Sequence, residues 1–274
     1  MNAETASVEG TLPLPADPLE GQALTLDRLA GDWSIWQLKD GHRFSADDLM
    51  TAWLAAEVAP EARRLLDLGA GIGSVGLLAL WRMAPTSTLV MVEAQPVSHA
   101  LAQRTLATNG LAQRVTPRLG DLRDPESVPE ADAFDLVTGS PPYIPLGKGI
   151  VSPHPQRAAC RMELRGTIAD YARTAVRAMR PEGWFVCCFA AGDPRAEAGL
   201  LDAGLYIRHR KDIVFRPGQA PTIALFASRR EPCTREDLPP LHVRHADRTW
   251  TTEYLDLREA MGTTLDRDRI AGGV

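Results

Sequence analysis

The chain has 274 residues, 45% of them apolar and 24% charged, with a formal net charge of −5, which suits a globular domain with a sizeable core and argues against a protein coated in basic surface. No apolar run nears the roughly 20 residues of a membrane span, and no basic segment followed by an apolar one opens the chain, so neither a membrane helix nor a signal peptide is expected and the expected location is the cytoplasm. Cys160, Cys187, Cys188 and Cys233 have no paired spacing and no histidine at zinc-ligand distance, so they read as reduced thiols and no metal site is expected.

Residues 1–30 hold five acids, one arginine and several prolines with little periodicity, and read as a loose arm. Trp33 to Leu38 reads as a strand entering a turn at Asp40-Gly41. Ser45 to Asp48 has capping-box spacing, and Leu49, Met50, Trp53, Leu54 and Val58 form one helical stripe, so a helix leads into the core.

The next stretch, Leu65-Leu66-Asp67-Leu68-Gly69-Ala70-Gly71-Ile72-Gly73, is an apolar run that breaks on an acid and then on three alternate glycines, with an apolar helix-like segment after it. It predicts a strand, a ligand-holding turn and a helix, because glycines admit close approach and the helix start offers unpaired N–H groups. Further on, Thr88 to Glu93 reads as a strand, followed by a helix from Pro96 to the stop at Asn109-Gly110. Strands follow near Arg114 to Leu119 and Ala133 to Gly139, then a helix from about Met162 to Arg180 and a strand from Trp184 to Phe189. Leu205 to Phe215 and Pro221 to Ala227 form a closing pair that a short Pro-Gly turn makes antiparallel. This alternation predicts an α/β domain over residues 31–230 with a mainly parallel sheet. Residues 231–274, with a helix around Glu253 to Met261, read as a tail packed on that core.

Two ligands compete for the glycine turn, because Gly71-Ile72-Gly73-Ser74-Val75-Gly76 also fits the dinucleotide pattern G-x-G-x-x-G. Asp67 tips the balance: an acid at the strand tip repels a pyrophosphate and suits a cation. The Asp-x-Gly-x-Gly-x-Gly pattern resembles the first motif of class I S-adenosylmethionine (SAM) methyltransferases. That resemblance implies a Rossmann-like fold with a seven-stranded sheet and helices on both faces. It also implies SAM held by Asp67, Gly69, Ala70, Gly71 and Gly73, with Glu93 accepting the ribose hydroxyls and Asp121 the adenine amino group.

Gly139-Ser140-Pro141-Pro142-Tyr143 ends the fourth strand of this domain. It resembles the Asn/Asp/Ser-Pro-Pro-Tyr motif of enzymes that methylate planar amino nitrogens: adenine N6, cytosine N4 or the glutamine amide. The lone pair of such a nitrogen is delocalised. Acceptors at Ser140 and at the carbonyl of Pro141 would draw it towards tetrahedral geometry, while Tyr143 stacks on an unpaired base and Ser140 also borders the cofactor.

Gly41 to Asp47, Gly147-Lys148-Gly149, Ser152-Pro153, Gln156-Arg157-Ala158-Ala159, Pro239 to Val243 and Thr251 to Tyr254 narrow the resemblance to bacterial tRNA (valine) adenine-N6 methyltransferases, which implies a tRNA substrate. That family has Asn where this chain has Ser140, a residue common in cytosine-N4 enzymes. The alternatives are cytosine N4, protein glutamine or a small molecule as target, or a non-catalytic RNA-binding module of the same fold. Residues 151–180 carry six arginines and two acids, and Arg157, Arg161 and Arg165 would form one RNA-facing stripe if helical. Residues 144–156, rich in Pro and Gly, read as a lid, and His42 and His154 as structural.

Overall fold

The structure, a computed structural model, describes residues 17–144, 154–163 and 165–264, with Ala159 and Arg161 described in backbone only. It opens on an antiparallel hairpin of β1 (Leu24–Ala30) and β2 (Trp33–Leu38). Residues 24–30, expected in a loose arm, are therefore a strand. The hairpin turns at Gly31-Asp32, and Asp40-Gly41 instead leads out of it towards α1 (Ala46–Val58). The hairpin stays put because Asp27 accepts from Thr25, Gln37 and Arg43, while Gln37 accepts the Phe44 N–H. The capping box at Ser45 and Asp48 is present and starts α1.

The remaining elements are β3 (Arg64–Leu68), α2 (Ser74–Arg82), β4 (Thr88–Glu93), α3 (Pro96–Thr108), β5 (Val115–Leu119), β6 (Phe134–Gly139), α4 (Pro155–Arg161) and α5 (Ile168–Ala178). They continue with β7 (Met179–Ala190), α6 (Arg195–Asp202), β8 (Tyr206–Val214), β9 (Ile223–Arg229), β10 (Glu236–His242) and α7 (Thr252–Ala260). One sheet runs β10-β8-β9-β7-β6-β3-β4-β5. Its pairs are parallel except where β9 meets β7 and β8.

Among the described residues the sheet has eight strands where seven were expected. The extra one, β10, lies in the segment read as a tail. Its Pro239-Pro240 pair hid it, since proline cannot donate to a ladder, yet an edge strand tolerates the loss. Its register with β8 shifts between Leu238 and Leu241, around the prolines. Lys211 on β8 holds the shifted strand by donating to the Pro239 carbonyl and pairing with Glu253 on α7.

Alternate residues of the parallel strands feed two apolar layers. Leu65, Leu89, Leu136 and Cys188 pack with α1, α2 and α3, whereas Leu66, Val92, Val137, Phe185 and Cys187 pack with α5 and α6. Both adjacent cysteines are buried free thiols on opposite faces, as strand geometry requires. Among the described residues, no helix is long and apolar enough to cross a membrane.

Candidate functional site

Chain order along the sheet reverses between β3 and β6, the position where open α/β sheets gather ligands at the carboxyl ends of the strands. A cleft of about 410 Å³ lies there. Register explains its composition: Leu68 is opposite Gly139 and Glu93 opposite Leu119, so the turns after β3 and β6 emerge side by side with the end of β4 next to them.

Gly69 and Gly76 are required by close packing. Gly69 has φ +59°, and a Cβ there would lie 1.9 Å from the Tyr171 hydroxyl, while one on Gly76 would lie 2.9 Å from Asp67 Cβ. Nothing crowds a Cβ position on Gly71, which borders the cleft. Gly73 does not line the cleft; it is the N-cap of α2 and packs beside Met91 and Leu77.

Asp67 forms the cleft floor and is 1% exposed. One of its oxygens accepts the Gly76 N–H at 2.9 Å, tying the strand to α2, and the other accepts the Thr138 hydroxyl at 2.8 Å. Burial pushes its pKa up to about 7 despite those bonds, with Asp48 and Glu93 adding repulsion. Glu93 accepts the N–H groups of Gly71 and Gln95, and burial raises its pKa too. Asp121 lines the cleft but is half-exposed and paired with Arg123 at 2.6 Å, which holds its carboxyl below the usual range.

A third buried acid, Asp48, was not singled out from the sequence beyond its capping role. It lines the cleft, accepts from Ser45 N–H and the Ser74 hydroxyl, and is pushed by burial to about 6. A capping acid on a helix outside the glycine motif carries no local signal of this second position. Neither Asp48 nor Asp67 has an ion-pair partner among the described residues, so the floor holds uncompensated acids that a cation would relieve.

Ser140, Pro141, Pro142 and Tyr143 line the same cleft. Ser140 Oγ is 3.3 Å from Cys188 Sγ. Tyr143 meets Phe189 edge-on at 5.9 Å, and Arg195 donates to the Tyr143 carbonyl while pairing with Glu163 and Asp193. Arg195 also lies over the Phe189 ring, so one guanidinium holds the Tyr143 end of the turn. Sequence reading missed it because Arg195 is 52 residues downstream.

The roof comes from α4. Gln156 accepts the His42 N–H and donates to Ser98, and Arg157 donates to the carbonyls of Asp40 and Gly41. Arg157 and Arg165 both line the cleft, but they do not form the expected stripe: α4 ends at Arg161, and Arg165 lies beyond it, donating to the Ala94 carbonyl. The Arg161 side chain lies outside what is described, as do residues 145–153 of the expected lid. Among the described residues, no cluster of His, Cys, Asp and Glu is arranged to hold a metal.

Residues 36–150 match the family described as Methyltransferase small domain. The sheet order and a solved structure of the same architecture give the chain the class I methyltransferase fold. Among curated relatives, the tRNA1(Val) (adenine(37)-N6)-methyltransferase of Bacteroides thetaiotaomicron is 24% identical over 229 residues, covering 82% of this chain and 92% of that protein. The release factor glutamine methyltransferase of Geobacter sulfurreducens is 32% identical over 150 residues, or 52% of this chain and 51% of that one. In fold, a predicted O-methyltransferase from Agrobacterium tumefaciens matches with a TM-score of 0.62 at 20% identity, covering 81% of this chain and 99% of that chain.

Proposed function

We propose that this chain methylates the exocyclic amino nitrogen of adenine, N6, in a tRNA. The observation that supports the reading is that the Ser140-Pro141-Pro142-Tyr143 turn, with groups able to accept from an amino group, borders the same cleft as the acid-floored glycine turn, which suits a cation.

The residues of the floor fit SAM. Its ammonium and sulfonium suit a site in which Asp48, Asp67 and Glu93 are buried with raised pKa values, Gly71 leaves room for a ligand, and Glu93 ends β4 where a ribose diol can be accepted. When bound, SAM supplies a methyl group on a positively charged sulfur that takes up the electron pair of the broken bond. On the other wall, Ser140 Oγ and the Pro141 carbonyl accept the two amino hydrogens, which localises the nitrogen lone pair towards the methyl carbon. The nitrogen gives up one of those hydrogens to solvent as the new bond forms. No strong base is needed, which agrees with leaving His42 and His154 outside the chemistry. Tyr143, braced from behind by Arg195, offers a ring on which a flipped base can stack. The relatives named for adenine 37 of a valine tRNA support the substrate class, and the serine at position 140 is where this chain departs from the resemblance.

Incubation with tritiated SAM and total tRNA, followed by mass spectrometry of the nucleosides, tests the reading. N6-methyladenosine is expected. Label in N4-methylcytosine, or in a glutamine-containing release-factor peptide and no RNA, would replace adenine with those targets. Binding of SAM with no transfer to any of them would make the chain a non-catalytic module.

A further inference from the structure

Tyr171, on the first turn of α5, is 6% exposed and lines the cleft. Two glycines make room for it: a Cβ on Gly69 would lie 1.9 Å from its hydroxyl, and one on Gly139 would lie 2.9 Å from its Cδ1. The phenol therefore sits where the turn after β3 meets the end of β6. One turn further along α5, the Thr174 hydroxyl donates to the Leu122 carbonyl at 2.9 Å, so the same helix runs beside Gly120, Asp121 and Leu122, all of which line the cleft. That segment is tied to the end of β4, where the Gly120 N–H donates to the Glu93 carbonyl at 2.9 Å.

A buried tyrosine hydroxyl ordinarily has a partner inside the protein. That of Tyr171 makes no hydrogen bond among the described residues. Its ring belongs to the apolar layer of Leu68, Val92, Leu122 and Ile168, a setting that a phenylalanine ring would fill as well, so packing does not account for the oxygen. Burial, with Glu93 and Asp67 nearby, pushes the phenol above its ordinary pKa, and it stays a neutral donor at working pH. The carboxylates around it, Asp48, Asp67, Glu93 and Asp121, can only accept once ionised. They suit the hydroxyls, the amino group and the positive charges of SAM, but they cannot serve the adenine ring nitrogens, which carry lone pairs and no hydrogen. Tyr171 brings a side-chain donor to a wall of acceptors.

We propose that Tyr171 is a cofactor-contacting residue whose unpartnered hydroxyl, set against Gly69 and beside the 120–122 segment, donates to a ring nitrogen of the SAM adenine. The inference rests on the cofactor reading above, in which Glu93 accepts the ribose hydroxyls and Asp121 lies at the adenine end. It makes the adenine recognised from both sides of its hydrogen-bonding pattern, by acids that accept and by one phenol that donates.

Calorimetry on the full chain with S-adenosylhomocysteine, which needs no RNA, tests it. Tyr171→Phe is expected to weaken binding roughly tenfold, while the thermal midpoint without cofactor is no lower than the parent's, because no bond inside the protein is lost. Unchanged affinity overturns the contact, and a lowered midpoint with unchanged affinity makes Tyr171 a packing residue only. The 1-, 3- and 7-deaza-adenine analogues of S-adenosylhomocysteine, each lacking one ring nitrogen, then identify the acceptor. One of them is expected to bind the parent more weakly than S-adenosylhomocysteine does, and to lose that deficit on Tyr171→Phe. If all three bind the parent as well as S-adenosylhomocysteine, or if Tyr171→Phe weakens all three by the same factor, the ring-nitrogen assignment is overturned. The parent-only comparison decides the matter even if Tyr171→Phe fails to fold. A parent that binds no S-adenosylhomocysteine defeats the cofactor reading itself, whereas a parent that binds it and methylates no RNA defeats the proposed function and leaves this contact standing.

Discussion

On the β3 and β4 side of the cleft, Asp48, Asp67 and Glu93 are buried with their oxygens anchored to backbone N–H groups and hydroxyls, and burial holds their pKa values up. On the β6 and β7 side, Ser140 to Tyr143 carry no formal charge and are held by a thiol, an aromatic edge and the Arg195 guanidinium. The difference matches the separate tasks that the proposed function gives the two walls. Uncompensated acids in low dielectric bind a cation strongly because they are costly without one. A neutral amino group would gain nothing from such charge, and it needs acceptors at fixed positions whose bonds tighten as the nitrogen becomes tetrahedral.

The sharpest way to break this division is to remove the acceptor wall's own atom. Ser140→Ala is expected to slow single-turnover transfer by roughly 10- to 1,000-fold with SAM affinity unchanged. An unaltered rate would make position 140 a turn residue and leave the neutral wall without a chemical role. On the charged wall, Asp67→Asn preserves both anchors, since the amide can still accept from Gly76 and donate to Thr138, while the charge disappears. Calorimetry is expected to show SAM binding weaker by about 1 to 3 kcal/mol, and equal affinity would remove the charge of Asp67 from cofactor recognition.

Arg195→Ala tests whether the neutral wall depends on its brace. It frees the Tyr143 carbonyl and leaves Glu163, which is only 10% exposed, without its partner. Loss of stacking geometry is expected as a rise in KM for RNA with a smaller fall in kcat, and a stability loss of about 1 to 2 kcal/mol in chemical denaturation. A change in SAM affinity instead would mean that the two walls are coupled through this residue.

A pH series sharpens the comparison. Asp48 and Asp67 titrate in the fold near about 6 and about 7, against 3.8 as ordinary aspartates. The folded chain therefore keeps protons that the unfolded chain has lost, and these groups favour the fold below pH 3.8 and lose that contribution as pH rises through about 6 to 7. A cationic cofactor prefers the ionised acids, so its affinity is expected to climb over the same window, with proton release on binding near its lower end. Thermal stabilisation by SAM should then be larger at about pH 8 than at about pH 5.5. Stabilisation that is flat or falls with pH would break the assignment of these acids to the cation.

The smallest effect is expected at the roof. Arg157→Gln should lower RNA affinity slightly and reduce the salt slope by about 1 if the guanidinium reaches a phosphate beyond its bonds to Asp40 and Gly41. An unchanged slope would make Arg157 a strut between α4 and the 40–42 turn and nothing more.

The sequence by itself determined the parallel core and the main line of the site. Asp67 with its alternate glycines and the Ser140-Pro141-Pro142-Tyr143 run are contiguous patterns whose chemistry and strand-end position can be read locally, and the strand alternation implies that such ends share one sheet edge. The hairpin strand β1 was concealed by partly polar, acid-bearing surroundings, and β10 by its prolines, because the pairing that makes each a strand comes from a partner elsewhere in the chain. The arginine stripe failed for a related reason: four-residue spacing means one face only while the helix lasts, and α4 ends at Arg161. Asp48 on the floor and Arg195 behind Tyr143 were decided by tertiary structure alone. One comes from α1 and the other from α6, and the burial that raises the Asp48 pKa exists only once those elements have packed.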